Sequence, residues 1–353
     1  MKFATHLIRW QHLHGRHQLP WQNTQDPYAI WLSEIMLQQT QVATVVPYYL
    51  RFLQQFPDIN SLALAPLDAV LSLWSGLGYY ARGRNLHRAA QMIVEQYNGI
   101  FPRDLKLIQQ LPGVGRSTAS AIAVFAYGEE CAILDGNVKR VFTRYFGIDG
   151  YPGGKDTETL LWRKAEELTP KKSSVGQIQT YTQSLMDLGA TICTRRKPQC
   201  SVCPLRADCV ALRENRVDKL PAARPHKLSP QKEIVMLMML QQDEILLQKR
   251  PLTGIWGGLW CPPEMSLTED TDAYCLQQFS LKVRVMAELP PLDHSFTHFK
   301  LRIYPRPLRV ISPISVNHNY GLIRFSFDDA LDAAIPTPVR RLLLLMANKK
   351  ETA

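Results

Sequence analysis

Cys193, Cys200, Cys203 and Cys209 fall within one short stretch, TICTRRKPQCSVCPLRADCV, at the spacing C-x6-C-x2-C-x5-C. No other feature restricts the path of the chain so tightly, because four thiols this close in sequence point to one shared metal centre. The first residues, MKFATHLIRWQHLHG, mix His and Arg among apolar positions and hold no continuous hydrophobic segment. The chain is therefore expected to be intracellular, where thiols serve as metal ligands sooner than as disulfides. Zinc is the ordinary occupant of a four-thiolate site. Zinc ribbons usually present two C-x2-C knuckles, however, and here there is one. The uneven loop, with Pro204 directly after the third cysteine, fits a cubane iron–sulfur cluster better. Such a cluster fastens the end of a domain, and Arg195, Arg196, Lys197 and Arg206 around it offer contacts to phosphate. Cys131, Cys261 and Cys275 share no pattern and read as core or incidental thiols.

Upstream of that loop, residues 1–213 read as almost continuous helix, with apolar positions at helical spacing broken by Pro20, Pro27, Pro47, Pro57, Pro66, Pro102 and Pro112. Helix starts are expected at Asp26, Ser61 and Asp156. Residues 214–231 turn polar and proline-containing and read as a linker. From 232 to 353 the period changes. EIVMLMMLQQDEILLQKR reads as two strands around a Gln-Gln-Asp turn, and LKVRVMAEL and FKLRIYPRPLRVI alternate as strands do. The fold class is thus mainly α, a helical domain followed by a smaller α+β domain. Nothing approaches the length of a membrane span. A net charge of +10 favours a polyanionic partner, although charge alone is weak support for nucleic acid.

Residues 105–127 suggest how a polyanion would be held. A helical pattern stops at Pro112, and another begins at Arg116 after the short hairpin Pro112-Gly113-Val114-Gly115. Gly113 and Gly115 allow an unusual backbone path, and the restarting helix offers free N–H groups at its positive end. Such a helix-hairpin-helix grips phosphate without reading sequence. Asp135 follows within reach of whatever the hairpin holds. A second acid, Glu34, sits in WLSEIMLQQTQV with Ile30, Trp31, Leu37 and Gln38 one turn away. Burial there would raise its pKa and keep a proton available near neutrality for general acid catalysis.

Hairpin, aspartate and cysteine loop together resemble the helix-hairpin-helix DNA glycosylase superfamily that includes endonuclease III, over roughly residues 1–213. The strings WLSEIMLQQTQV and LDGNVKR, with Ser117, look within it like the adenine DNA glycosylase (MutY) family. That resemblance implies a helical barrel with one [4Fe-4S] cluster on the four cysteines. It also implies removal of adenine from double-stranded DNA opposite 8-oxoguanine or guanine. By the same resemblance Glu34 is the general acid and later the base for water, and Asp135 with Asn137 supports the sugar cation. Gln39 and Tyr79 match residues that wedge into the base stack, and Leu19, Trp21 and Gln183 match positions around the extruded adenine.

One departure is informative. Members that also cut the backbone carry a lysine just after GVGR, where this chain has Ser117, so base excision without an efficient lyase step is expected. Lys139 is expected at phosphate, with adventitious trapping of a sugar aldehyde as its lesser use. The run TGIWGGLWCPPE resembles Nudix hydrolases, but the acidic metal-binding helix that should follow is replaced by MSLTEDTDAYCLQQFS. A Nudix-like module that recognises 8-oxoguanine is implied, with Phe296-Thr297-His298 matching a Phe-Ser-His motif of the family. A monomer, cytoplasmic and associated with the nucleoid, is expected. The rivals are an endonuclease III-like glycosylase with lyase activity, a non-catalytic damage sensor, and a Nudix hydrolase fused to a DNA-binding domain.

Overall fold

The computed structural model describes residues 2–171, 175–225, 229–311 and 321–351. The helices are α1 (Lys2–His14), α2 (Pro27–Leu37), α3 (Val42–Gln55), α4 (Ile59–Leu64), α5 (Leu67–Trp74), α6 (Ala81–Tyr97), α7 (Leu105–Gln110), α8 (Arg116–Tyr127), α9 (Gly136–Phe146), α10 (Lys155–Leu168), α11 (Val175–Asp187) and α12 (Val210–Arg213). After them come β1 (Gln231–Gln241), β2 (Glu244–Lys249), β3 (Trp260–Cys261), β4 (Glu264–Met265), α13 (Thr271–Phe279), β5 (Val283–Val285), β6 (Leu292–Ser295), β7 (Lys300–Val310), β8 (Leu322–Phe325), α14 (Phe327–Asp332) and α15 (Thr337–Glu351). They form two compact units that are not consecutive in the chain. One comprises Met1–Leu64 with Asn85–His226, the other Ala65–Arg84 with Lys227–Ala353. Residues 226–228 of the expected linker lie outside the described residues.

In the first unit local chemistry sets most helix ends. Asp26 caps α2 by accepting the Tyr28 N–H at 3.0 Å, with Pro27 in the first helical position. Two expected starts shift. Helix α4 begins at Ile59, and Asp58 and Ser61 cap it reciprocally, Oδ1 accepting from Ser61 N at 2.7 Å and Oγ from Asp58 N at 3.2 Å. Helix α10 begins at Lys155, so Asp156 lies in its first turn rather than before it. Helix α3 also runs through Pro47, which was expected to break it. Burial of Val45, Tyr49 and Phe52 on that helix offsets the roughly 3 kcal/mol that an interior proline costs.

Phe3, Leu7 and Trp10 of α1 join residues of α8, α9, α10 and α11 in one core. Helix α2 buries Tyr28 to Ser33 without a break, then Ile35 and Met36. Glu34 is therefore the one acid on an otherwise sunken helix.

In the second unit β1 and β7 run parallel from Gln231 opposite Lys300 to Leu240 opposite Arg309. Val235 to Leu240 are buried as a continuous run, as a strand covered on both faces requires. The sheet order is β3-β2-β1-β7-β5, with β4 on β1, β6 on β7 and β8 on β2. Strand β7 tolerates Pro305 and Pro307 for a local reason. Its outer edge pairs with β6 through Lys300–Ile303 and with β5 through Leu308–Val310. The two prolines fall at the gap between them, where a missing N–H costs no ladder bond. LKVRVMAEL, expected as one long strand, keeps only Val283–Val285 as strand.

Gly147 ends α9 at φ +65°, and a Cβ there would stand 2.5 Å from Cγ1 of Val210, the first residue of α12. Gly147→Ala combines a clash with left-handed strain, and a thermal melt of the cluster-loaded protein is expected to show Tm lower by about 5 °C or more. An unchanged Tm would refute that packing.

Candidate active site

The loop after α1 builds one wall of a cavity. The Gln22 side chain accepts the Leu19 N–H at 3.1 Å and donates to the Arg16 carbonyl at 2.9 Å, closing a short turn that carries Leu19 and Trp21 inward. The Trp21 ring meets Tyr49 edge-on at 5.3 Å between centroids. Facing it, α2 supplies Ile30, Ser33, Glu34 and Leu37, and α11 supplies Gln179, Gln183 and Met186. The cavity measures about 500 Å³, in the range of small-ligand sites. Leu19, Trp21 and Gln183, expected around an extruded base, thus meet Glu34, the expected general acid, in one space.

Glu34 keeps some exposure through that cavity, yet burial pushes its pKa up to about 8, with the nearby charge of Asp135 as the second cause. Asp135 does not line the cavity but is close enough to act on Glu34 through its charge. It caps α9, its Oδ1 accepting the Val138 N–H at 2.8 Å. Burial raises its pKa too, while hydrogen bonds from Val138 and Asn137 and the charge of Arg140 pull the other way. No such counterweight acts on Glu34. The two carboxyl groups therefore sit in unlike environments, one with hydrogen-bonding and charged support and one without.

Helix α9 joins this pair to the cysteine loop. Arg140 donates to Asn137 Oδ1 at 2.8 Å, to the Gly189 carbonyl at 2.6 Å and to the Cys193 carbonyl at 2.7 Å. One turn on, Arg144 donates to Cys193 Sγ at 3.4 Å and to the Thr194 carbonyl at 2.7 Å. Gly189 is needed for the approach, since a Cβ there would lie 2.6 Å from that of Asn137.

Cys193, Cys200, Cys203 and Cys209 line one recess walled by Val141, Leu188, Ile192, Leu205 and Leu212. The four thiols thus share one recess with apolar walls, which suits a multi-iron cluster, in keeping with their uneven spacing. Burial pushes the Cys203 thiol up to about 11 and raises Cys200 and Cys209 as well, so thiolates in this recess call for cationic iron beside them. The residues present fit an iron–sulfur cluster. Cys261 and Cys275 are buried in the other unit, as core thiols should be.

The remaining expected residues fall in varied surroundings. Gly113 takes φ +80°, and Gly115 caps α8 with no side-chain bond to its first N–H groups. The Ser117 hydroxyl accepts the Leu134 N–H at 3.0 Å and so holds the backbone just before Asp135. Lys139, expected at phosphate, pairs instead with Glu158 at 2.8 Å, because α10 packs against α9 there and brings a carboxylate to it. Gln39 and Tyr79 are both exposed and both left-handed, at φ +57° and +49°. Phe296, Thr297 and His298 make the turn between β6 and β7, closed by the Phe296 N–H on the Phe299 carbonyl at 2.9 Å. Thr297 and His298 are exposed, and Phe296 stacks on Phe299 at 4.5 Å.

Sequence reasoning missed Asp187. It is fully buried and accepts from Arg16 N at 2.8 Å, Arg16 Nε at 2.7 Å and Gln183 Nε2 at 2.9 Å, with Arg16 Nη2 paired to it at 2.7 Å. A carboxylate under the cavity thus orients two of its lining side chains. The available signal was one acid in the apolar run SLMDLGATI, four residues after Gln183.

Comparison with known proteins agrees with this geometry. Residues 32–167 match the HhH-GPD superfamily base excision DNA repair protein, 193–209 the iron–sulfur binding domain of endonuclease III, and 234–345 the NUDIX domain. An adenine DNA glycosylase of Buchnera aphidicola subsp. Baizongia pistaciae is 37% identical, over 97% of this chain and 95% of that protein. An adenine DNA glycosylase of Mus musculus is 30% identical, over 99% of this chain and 78% of its own length. Among solved structures, a thermostable thymine-DNA glycosylase superposes with a TM-score of 0.54 at 30% identity, over 60% of this chain and 95% of that one.

Cys203→Ser is expected to lose brown absorbance and soluble yield together; a colourless wild-type protein with stoichiometric zinc would overturn the cluster. Asp187→Asn leaves the Arg16 guanidinium without its charge partner. A stability loss of roughly 3 kcal/mol is expected, read as a lower melting temperature, with slower base removal because Gln183 and Arg16 lose their orientation.

Proposed function

The chain belongs to the adenine DNA glycosylase (MutY) family of base-excision repair enzymes, and from that premise we propose that it removes adenine opposite 8-oxoguanine and opposite guanine, with Glu34 and Asp135 as the catalytic pair. Its substrate is DNA, and its cofactor is a [4Fe-4S] cluster on Cys193, Cys200, Cys203 and Cys209. The observation that carries the proposal is a carboxylic acid still protonated near neutral pH, lining a cavity of small-ligand size, with a second carboxyl group, the helix-capping Asp135, near enough to act on it through its charge.

An adenine turned out of the duplex enters between Leu19, Trp21 and Gln183. Trp21 and Leu19 give its ring apolar faces, and the Gln183 amide, fixed by Asp187, offers its edge a hydrogen-bonding partner. Glu34 delivers its proton to a ring nitrogen, so the base leaves neutral and the N-glycosidic electron pair goes with it. Positive charge then develops on the sugar, where the Asp135 carboxylate, locked by the α9 N-terminus and with Asn137 held by Arg140, stabilises it. The Glu34 carboxylate takes a proton from the water that attacks the sugar carbon, which restores the acid. The bound cluster supplies a rigid support for the loop that Arg140 and Arg144 grasp.

Strand cleavage through an imine requires a free amine at the sugar. Ser117 supplies none, and Lys139 is engaged by Glu158, which supports a monofunctional enzyme. Gly113 and Gly115 present backbone N–H groups to phosphate, and Gln39 and Tyr79 wedge into the stack from strained, exposed positions. The Phe296-Thr297-His298 turn contacts the 8-oxoguanine. The enzyme acts as a monomer on the nucleoid of the cytoplasm; among the described residues no helix is long and apolar enough to cross a membrane.

Single-turnover incubation with duplexes carrying A:8-oxoguanine, A:G, A:T and thymine glycol:A tests this. Breaks in the first two only after alkali are expected; direct nicking of the thymine glycol strand would refute it. Glu34→Gln should bind mismatched duplex normally and excise at least a thousandfold more slowly. The protonated acid is the active form, so wild-type excision is sustained at neutral pH and falls as pH climbs through the raised Glu34 pKa of about 8. Above that point the decline should be roughly tenfold per pH unit. A rate flat to pH 9.5 would remove Glu34 from the acid role.

A further inference from the structure

Tyr79 sits in a turn rich in left-handed backbone, with Gly76 at φ +100° and Gly78 at φ +71°. The inner side of that turn is fixed from several directions. Arg82, which is buried, donates to the Leu77 and Gly78 carbonyls at 3.3 and 3.2 Å and lies over the Tyr79 ring at 5.5 Å. Ser75 and Tyr80 hydroxyls both donate to the Ile335 carbonyl, at 2.9 and 3.3 Å. The Tyr79 side chain itself stays 48% exposed, which leaves it free to meet DNA.

Arg84, on α6 five residues past Tyr79, donates through Nη1 to the Gly257 carbonyl at 2.7 Å across 173 residues of sequence. Its neighbour Trp256 is a buried indole at φ +55°, a strained backbone that packing on all sides must hold. That ring contacts Phe296 at 5.5 Å and His294 at 5.8 Å, and His294 contacts Phe296 edge-on at 4.7 Å. Arg250 lies over the same indole at 6.0 Å while paired with Glu264. Gly258 lies close to the same elements, where a Cβ would come within 3.4 Å of Leu71 and 3.9 Å of the Arg84 stem.

The geometry points to Arg84 as a positioning residue for lesion discrimination: its bond to the Gly257 carbonyl ties the Tyr79 turn to the Trp256–Phe296 aromatic pair and fixes the spacing of the two lesion-reading elements. This rests on the reading of Tyr79 and Phe296-Thr297-His298 as lesion contacts. Arg84 itself reaches neither base nor sugar. It acts by holding two surfaces in one register, so that 8-oxoguanine engages both at once while guanine gains less from their alignment.

The test compares single-turnover excision by the full-length, cluster-loaded protein on A:8-oxoguanine and A:G duplexes. Arg84→Met keeps the aliphatic stem and removes the donor, Arg84→Gln removes the charge with a different shape, and Arg84→Lys keeps a donor. The Met and Gln variants are expected to lose about tenfold of the preference for A:8-oxoguanine, with the A:G rate within about twofold of wild type, and the Lys variant to regain most of it. Whichever neutral variant retains wild-type brown absorbance gives the answer. An unchanged ratio, or equal slowing on both duplexes as a merely structural role predicts, overturns the proposal. Tyr79→Ala and Phe296→Ala serve as references. If they lose the preference and the Arg84 variants keep it, the tie alone fails; if they too keep it, the lesion-contact reading fails and takes the tie with it.

Discussion

Two largely desolvated carboxyl groups, close enough for one to feel the other's charge, are the constraint on which the rest of this site depends. Neither Glu34 nor Asp135 gains stability from its place, since burial raises the pKa of both. Their neighbours divide the cost unequally. Asp135 receives a helix N-terminus, the Asn137 amide and the charge of Arg140, whereas Glu34 receives the repulsion of Asp135. The result is two acids in unlike settings, and the proposed reaction needs such a difference, a proton at the leaving base and a negative charge at the sugar.

Holding such a pair requires rigid support on every side. Helix α2 sinks almost all of its side chains, so Glu34 has little freedom to withdraw into solvent. Helix α9 begins at Asp135 and, within two and a half turns, reaches Cys193 through Arg140 and Arg144. The cysteine loop therefore acts as a buttress for the helix that Asp135 caps. Asp187 performs a similar service under the cavity, where one buried carboxylate satisfies Arg16 and Gln183 together.

The second unit is organised by a different economy of contacts. Its sheet is a frame for short, strained loops, with the left-handed turns at Tyr79 and Trp256 pinned by carbonyls and aromatic packing. Inclusion of Ala65–Arg84 in this unit follows from the bonds of Ser72, Ser75 and Tyr80 to carbonyls of Asp332 and Ile335 and from the pairing of Asp68 with Lys249 at 2.6 Å. A segment read from sequence as ordinary helical domain is thereby built into the module that follows it.

Much of this was legible in the sequence because it is local. Cysteine spacing, the Pro-Gly hairpin before α8, Asp26 before Pro27 and the apolar run of β1 all express rules acting over a few residues, and Ser117 in place of a lysine is chemistry readable at one position. Glu34 could be suspected from its apolar neighbours, but its raised pKa depends on how α2 is covered and on where Asp135 lies. Pro47 deceived for the same reason, since its cost is met by packing remote in sequence. The pairing of Lys139 with Glu158 was not legible, because Glu158 lies on another helix. Arg16 with Asp187 and Arg84 with Gly257 join residues more than 170 positions apart. The sequence by itself determined which chemical groups the protein owns and the helices and strands that carry them. Only the tertiary structure decided which of those groups lose their water and which meet, because desolvation and long-range pairing belong to the packed chain and to no short stretch of it.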